Sequence, residues 1–303
     1  MKVIKPINID DSNLLSSTIP EPDSSTGEIE WTAGTYAKGV RRIVSSEHKV
    51  YEVVADPDTT DDPVTGAAAT PQTWVEVGPT NKYAMFDNIN STTSNGDNVV
   101  VELKTGLVAA GLAGFNITAN SINITCVSAV DGEVYNIDIE MIDNSNVIDW
   151  LTYFTDPFVI TDQFILTDIP AYSDLTTTVT FTGVSASVGT LINGKVVDLG
   201  VAQYGTSWQG LDFSKKERDQ FGNVVINKGL TADRLDYDVT AERDRFPSLK
   251  RELRSLVGIP TVWIGNPDKP NDGTATFGYY VDNQINISNP ALLDLTITVE
   301  SFT

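Results

Sequence analysis

The sequence predicts a mainly β protein: a small N-terminal β module, a jelly-roll-like β-sandwich, and a C-terminal α+β domain with one helix packed on a sheet. Three observations carry that reading. Short alternating or apolar runs recur along the chain, and Gly, Asn or Asp breaks them every ten or so positions. Thr, Asn, Asp, Val and Ile are abundant while Lys and Glu are sparse, which suits strands and loops. One stretch alone has convincing helical periodicity: Phe246, Leu249, Leu253 and Leu256 share a face at i, i+3, i+7 and i+10.

Taken in order, residues 1–27 read as an extended arm. Pro6, Pro20, Pro22 and the polar run 23–27 resist regular structure. Such an arm packs either on its own domain or on a neighbouring subunit. Residues 28–80 read as a very small β module. Trp31 and Trp74 would cover a core too small to survive otherwise. Residues 81–200 read as the sandwich, with strand candidates at 99–103, 114–117, 121–127, 134–141, 158–166, 176–182 and 188–191. Trp150, Tyr153 and Phe154 fall between strands, as either a loop anchor or a contact patch.

Residues 201–303 read as strand, helix, strand and two more strands. Leu235, Tyr237, Val239 and Ala241 alternate before the helix, and 259–264 is a short apolar run after it. The runs 277–287 and 293–299 follow. Pro247 suits a first helical turn, Gly258 a C-terminal stop, and Pro260 forbids continuation.

The charge is uneven. The chain of 303 residues carries a net −21, yet residues 215–254 hold ten of its 20 basic side chains against eight acids. That stretch is +2 and everything else sums to −23. Two readings stay open: a solvated helix face, or a docking surface for an acidic neighbour, including another copy of this chain. Lys250, Arg251 and Arg254 are the candidate assembly surface. A net charge of this size repels phosphate, which argues against nucleic acid as a partner.

Little in the sequence points to chemistry. His48 is the only histidine and stands in a hairpin between Glu47 and Lys49. Cys126 is the only cysteine and alternates with Ile122 and Ile124, as a small core residue does. Neither a catalytic triad nor a His/Cys metal cluster can be built from one of each. Phosphate-binding glycine loops and Gly-x-Ser-x-Gly do not occur. The acidic loop 56–62 could offer carboxylates to calcium, but it lacks the EF-hand spacing and turn glycine, so a solvated loop is expected. No enzyme, cofactor or metal is expected. Nor is membrane insertion, since no 18-residue apolar stretch exists. The first residues lack the apolar core of an export signal.

Two resemblances add context. Trp31, Gly34, Tyr36 and Gly39, then Val50-Tyr51 and the closing Trp74, resemble the small chitin-binding type of carbohydrate-binding module. That resemblance implies glycan contact through Tyr36, Tyr51 and Trp74. The chain departs from the pattern where sugar-binding modules carry adjacent exposed aromatics: here stand Val53, Val54 and Ala55. A structural spacer and a glycan contact both remain open. Further runs lie at 74–87, at 197–200 with Tyr204-Gly205, and at 212–223. Together with the module they resemble a family of tailed-bacteriophage virion proteins found with tail and fibre genes. The resemblance spans about the whole chain and supplies no catalytic residue. It implies a structural role in the tail region (tail, collar, baseplate or fibre attachment), exercised on other virion proteins. The alternative is an adhesin that contacts host surface polysaccharide. Such a part is made in the host cytoplasm, ends in the virion, and is by default a symmetric homo-oligomer.

Overall fold

The computed structural model describes residues 1–87, 93–143, 147–155, 159–218, 222–268, 273–287 and 289–302. Alternation sorts its strands into layers. Ile122, Ile124 and Cys126 of Ser121–Ser128 face inward, as do Val179 and Phe181 of Thr176–Thr182 and all three odd-numbered residues of Val99–Leu103. These strands form an antiparallel five-stranded sheet in the order Gly132–Glu140, Ser121–Ser128, Thr176–Thr182, Val99–Leu103, Leu14–Ser17. Its inner face packs on Phe164–Leu166, Gly111–Thr118 and Ala186–Asp198, and one apolar cluster fills the space between.

The fold is therefore mainly β and contains a sandwich. Its strand order is that of a jelly roll. Lys2–Pro6, Ala186–Asp198, Gly111–Thr118 and Phe164–Leu166 are neighbours in that order in one sheet, and Val99–Leu103, Thr176–Thr182, Ser121–Ser128 and Gly132–Glu140 in the other.

The expected arm is built into the sheets. Lys2–Pro6 lies in the middle of an eleven-stranded sheet, between Ala186–Asp198 on one side and Thr261–Ile264 on the other. Leu14–Ser17 pairs with Val99–Leu103. Because Lys2–Pro6 bridges the two halves, the large sheet runs without a break across the expected boundary at 200. Residues 81–200 and 201–303 thus share a sheet. Val3 and Ile4 sit on its opposite faces, both fully buried, which is why so short and proline-ended a run holds a central place.

The large sheet is strongly curled. Phe115 and Phe277 stand four strands apart, which in a flat sheet means about 19 Å. Their rings stack at 5.6 Å. The sheet therefore closes over its own concave face, burying Ile4, Ile192, Val262 and Ile264 there. Two glycines permit the approach. A Cβ on Gly194 would lie 2.2 Å from the Lys5 carbonyl oxygen, and one on Gly111 would lie 2.9 Å from side-chain atoms of Ile4 and Val196.

On the other face lies the helix Phe246–Ser255, with Leu249 and Leu253 buried as the periodicity requires. Pro247 sits in its first turn and Gly258 follows at φ +70°, the left-handed conformation that ends helices. The helix covers the inward residues of Thr231–Glu242 (Leu235, Tyr237, Val239, Ala241) and of Leu292–Ser301. The run expected at 158–166 is two short strands, Val159–Ile160 and Phe164–Leu166, and Phe158 lies outside the described residues. Two helical turns were not read from sequence, Pro63–Ala68 and Trp150–Thr155.

Candidate functional site

The module at 28–80 is a three-stranded sheet of Arg41–Val44, Lys49–Val53 and Trp74–Pro79. Tyr36, Tyr51, Val53 and Trp74 are its buried core. Trp74 is 0% exposed, its Nε1–H donates to the Asp61 carbonyl at 3.0 Å, and its ring stands edge-on to Tyr36 at 5.6 Å. The Tyr36 hydroxyl donates to the Thr32 carbonyl at 2.7 Å. Glycan contact through Tyr36, Tyr51 and Trp74 is corrected by this burial: a sugar stacks on an open ring face, and these faces are spent filling an interior that so few strands cannot fill otherwise. The acidic loop is also occupied internally. The Asp62 carboxylate caps Pro63–Ala68 through the Val64 and Thr65 amides, and Asp61 accepts from Thr73 Oγ1 at 2.8 Å. Among the described residues no cluster of three or more His, Cys, Asp or Glu is placed to hold a metal ion.

The run at 74–87 forms a polar joint between module and sandwich. Thr80 and Asn81 are buried. Asn81 Nδ2 donates to Asp23 Oδ2 at 2.7 Å and to the Asn95 carbonyl at 2.9 Å, its Oδ1 accepts from the Asn95 amide, and its own amide donates to Glu28 Oε1. Burial pushes the Asp23 carboxyl up, but donors from Ser25 and Asn81 outweigh that and hold it below its ordinary range. His48 completes the joint. It has φ +56° and stacks on the Tyr83 ring at 3.7 Å. Its two ring nitrogens lie 3.1 Å from Glu21 Oε2 and 3.3 Å from Asp11 Oδ2. The Tyr83 hydroxyl donates to Asp11 at 2.6 Å, which lowers the Asp11 carboxyl, while burial first and Asp11 second raise the Tyr83 phenol. Together these bonds fasten the module to the sandwich.

Lys250, Arg251 and Arg254 are all exposed on the outer face of Phe246–Ser255. Among the described residues none of the three has a carboxylate within ion-pair distance. The neighbouring Arg245, by contrast, reaches Asp198 at 3.4 Å. Beside this cationic face runs a shallow groove floored by Phe246, Leu253, Tyr280 and Ile285.

Two exposed apolar features complete the surface, at opposite ends of the strand order of the large sheet. One is a hairpin arm. Ser207–Asp212 pairs along Thr231–Glu242 as the edge strand, and beyond it Lys215–Arg218 pairs with Val224–Asn227 as a ribbon standing off the body. Every residue of that ribbon is exposed, including Val224, Val225 and Ile226 at 48–60%. The run at 212–223 falls here, with 219–221 outside the described residues. The other feature is a flap between Gly132–Glu140 and Phe164–Leu166, rooted on the small pairing of Ile142–Asp143 with Val159–Ile160. Its turn of helix shows Trp150, Leu151 and Phe154 at 69–77% exposure, and Trp150 and Phe154 stack at 6.2 Å. Tyr153 joins them edge-on. Of the two readings of these aromatics, the loop anchor is excluded by their exposure. Sequence reasoning missed the ribbon because it buries neither face and so shows no alternation.

The flap also has a charge context. Residues 105–194 contain ten acids and no Lys or Arg. No protein-family model matches the chain, and no curated protein matches it either.

Proposed function

We propose that this chain is a structural component of a tailed-bacteriophage virion, placed in the tail region and working by protein–protein assembly. One observation carries the assembly reading: three exposed cations, Lys250, Arg251 and Arg254, without ion-pair partners among the described residues, on a chain of net charge −21. Such a face attracts acidic protein surface over several ångströms and sets the orientation of docking. What supports the virion setting is the resemblance of the runs at 74–87 and 212–223. One builds the joint between two units and the other a projecting ribbon, and both duties are architectural. A glycan-binding role would need a platform other than Tyr36, Tyr51 and Trp74.

The test is the triple charge reversal Lys250→Glu, Arg251→Glu, Arg254→Glu. All three side chains are exposed, so the purified variant should keep the wild-type circular dichroism. Particles produced with it should contain little of the chain by quantitative mass spectrometry. Wild-type incorporation would reduce this helix face to a solvated one.

A further inference from the structure

A two-stranded ribbon exposed on both faces is at best marginally stable in water. Lys215–Arg218 and Val224–Asn227 form such a ribbon and carry Val224, Val225 and Ile226 to its surface. Something outside the chain's own body is needed to cover it. The flap poses the same problem at the other end of the sheet, since Trp150, Leu151 and Phe154 are exposed there, with the rings of Trp150, Tyr153 and Phe154 packed on one another. Within one chain the two do not cover each other, as both remain exposed.

Their electrostatic settings are opposite. Residues 215–228 carry Lys215, Lys216, Arg218 and Lys228 against Glu217 and Asp219, a net +2, with Lys215 paired to Glu217 and Lys216 to Asp212. The flap belongs to the stretch of 90 residues with ten acids and no base, and Asp143 and Asp149 lie within it. An apolar surface with a cationic rim on one end thus matches an apolar surface with an anionic rim on the other. The rims would steer the approach, and the aliphatic and aromatic side chains would supply the buried core of the contact.

We propose that the hairpin arm of one copy seats on the aromatic flap of the next, a head-to-tail contact between identical chains. This deepens the assembly reading and rests on it for its biological sense. Because the two surfaces differ, the contact is heterologous: repeated, it closes into a ring or runs on as a filament. The occupant of each surface is a second copy of this chain, and no other partner is needed to satisfy either.

The experiment uses the purified full chain and two variants, one dead at the arm (Val225→Asp with Ile226→Asp) and one dead at the flap (Trp150→Asp with Phe154→Asp). All four positions are exposed, and unchanged circular dichroism and melting confirm the fold of each. Wild type should self-associate in sedimentation velocity. Each variant alone should be monomeric, with association weakened about 30-fold or more, the scale of losing one hot-spot side chain. An equimolar mixture should form a 1:1 dimer and stop there, because it contains one good arm and one good flap. A mixed disulfide between Ile226→Cys of one copy and Phe154→Cys of another, both otherwise wild type, should form faster than either self-pair.

A monomeric mixture overturns the proposal. So does wild-type association by either variant, which would mean arm-on-arm contact in the flap variant or flap-on-flap contact in the arm variant. These outcomes are independent of the virion assay. Lost incorporation on charge reversal with no self-association leaves the assembly reading standing and removes this contact. Self-association without any presence in particles does the reverse.

Discussion

Replacing Trp74 by Ala should open the module at 28–80 while the sandwich stays folded. The indole is fully buried, and burying about 200 Å² at ~25 cal/mol per Å² is worth about 5 kcal/mol as an upper value. Large-to-small replacements of buried tryptophan cost about 3–5 kcal/mol, cavity included. The bond to the Asp61 carbonyl goes as well. Only Tyr36, Tyr51 and Val53 remain as buried members of that core. A unit so small holds about 3–5 kcal/mol in all, so the loss is of the order of its whole local stability. Hydrogen exchange read by mass spectrometry is the assay. Amides of Arg41–Val44 and Lys49–Val53 should exchange about 100- to several-thousand-fold faster, while those of Ser121–Ser128 and Thr176–Thr182 keep their protection. Unchanged protection in the module would refute the assignment of Trp74 as its keystone. Equal loss in the sandwich would refute the separateness of the two cores. Either way, lost surface binding by this variant cannot be read as a lost sugar contact.

Other outcomes follow from the same geometry. Gly194→Ala places a Cβ against the Lys5 carbonyl and should cost about 1–3 kcal/mol, read as a lower guanidinium midpoint at unchanged slope, whereas Gly78→Ala, with open space around it, should be near neutral. Asn81→Ala leaves the Asp23 carboxylate and the Asn95 amide and carbonyl short of a buried partner, and should cost about 1–3 kcal/mol by the same measurement. The joint should loosen in acid. The Asp23 carboxyl is held below its ordinary 3.8, so its stabilisation is complete above that value and is lost as the pH falls through the lower folded value. Protection factors of amides around 80–86, taken relative to intrinsic exchange at each pH, should fall on that side of pH 3.8, and protection factors that fall with increasing pH instead would contradict the sign.

The sequence showed what burial on one face writes into it. The helix Phe246–Ser255 and the strands carrying Leu235 to Ala241, Ile122 to Cys126 and Val99 to Leu103 each hold an apolar stripe at the right period. Lys2–Pro6 escaped because it is buried on both faces, where alternation disappears, and because Pro6 reads as a breaker. The ribbon at 215–227 escaped for the opposite reason, being buried on neither. The aromatic residues of the module were legible as aromatic but not as inward or outward. That choice depends on how many other side chains the small sheet can offer its core. The basic helix face could be read directly, because polar positions on a surface helix are simply those the apolar stripe leaves over. The flap could not, since exposure is a property of what fails to pack against it.

The place of Lys2–Pro6 also fixes an order of events during synthesis. Val196 and Val262, which flank Ile4, leave the ribosome about 190 and 260 residues after it. At roughly 5–20 residues per second that is a wait of about 10–50 s for the second neighbour. Until then the N-terminal strand has one or no partner, and the curled sheet has a gap at its centre. The module and the five-stranded layer can form as the chain emerges. The large sheet is finished only when Thr261–Ile264, Ala275–Asn286 and Leu292–Ser301 have emerged, so a product truncated before them lacks the strand contacts that would close it.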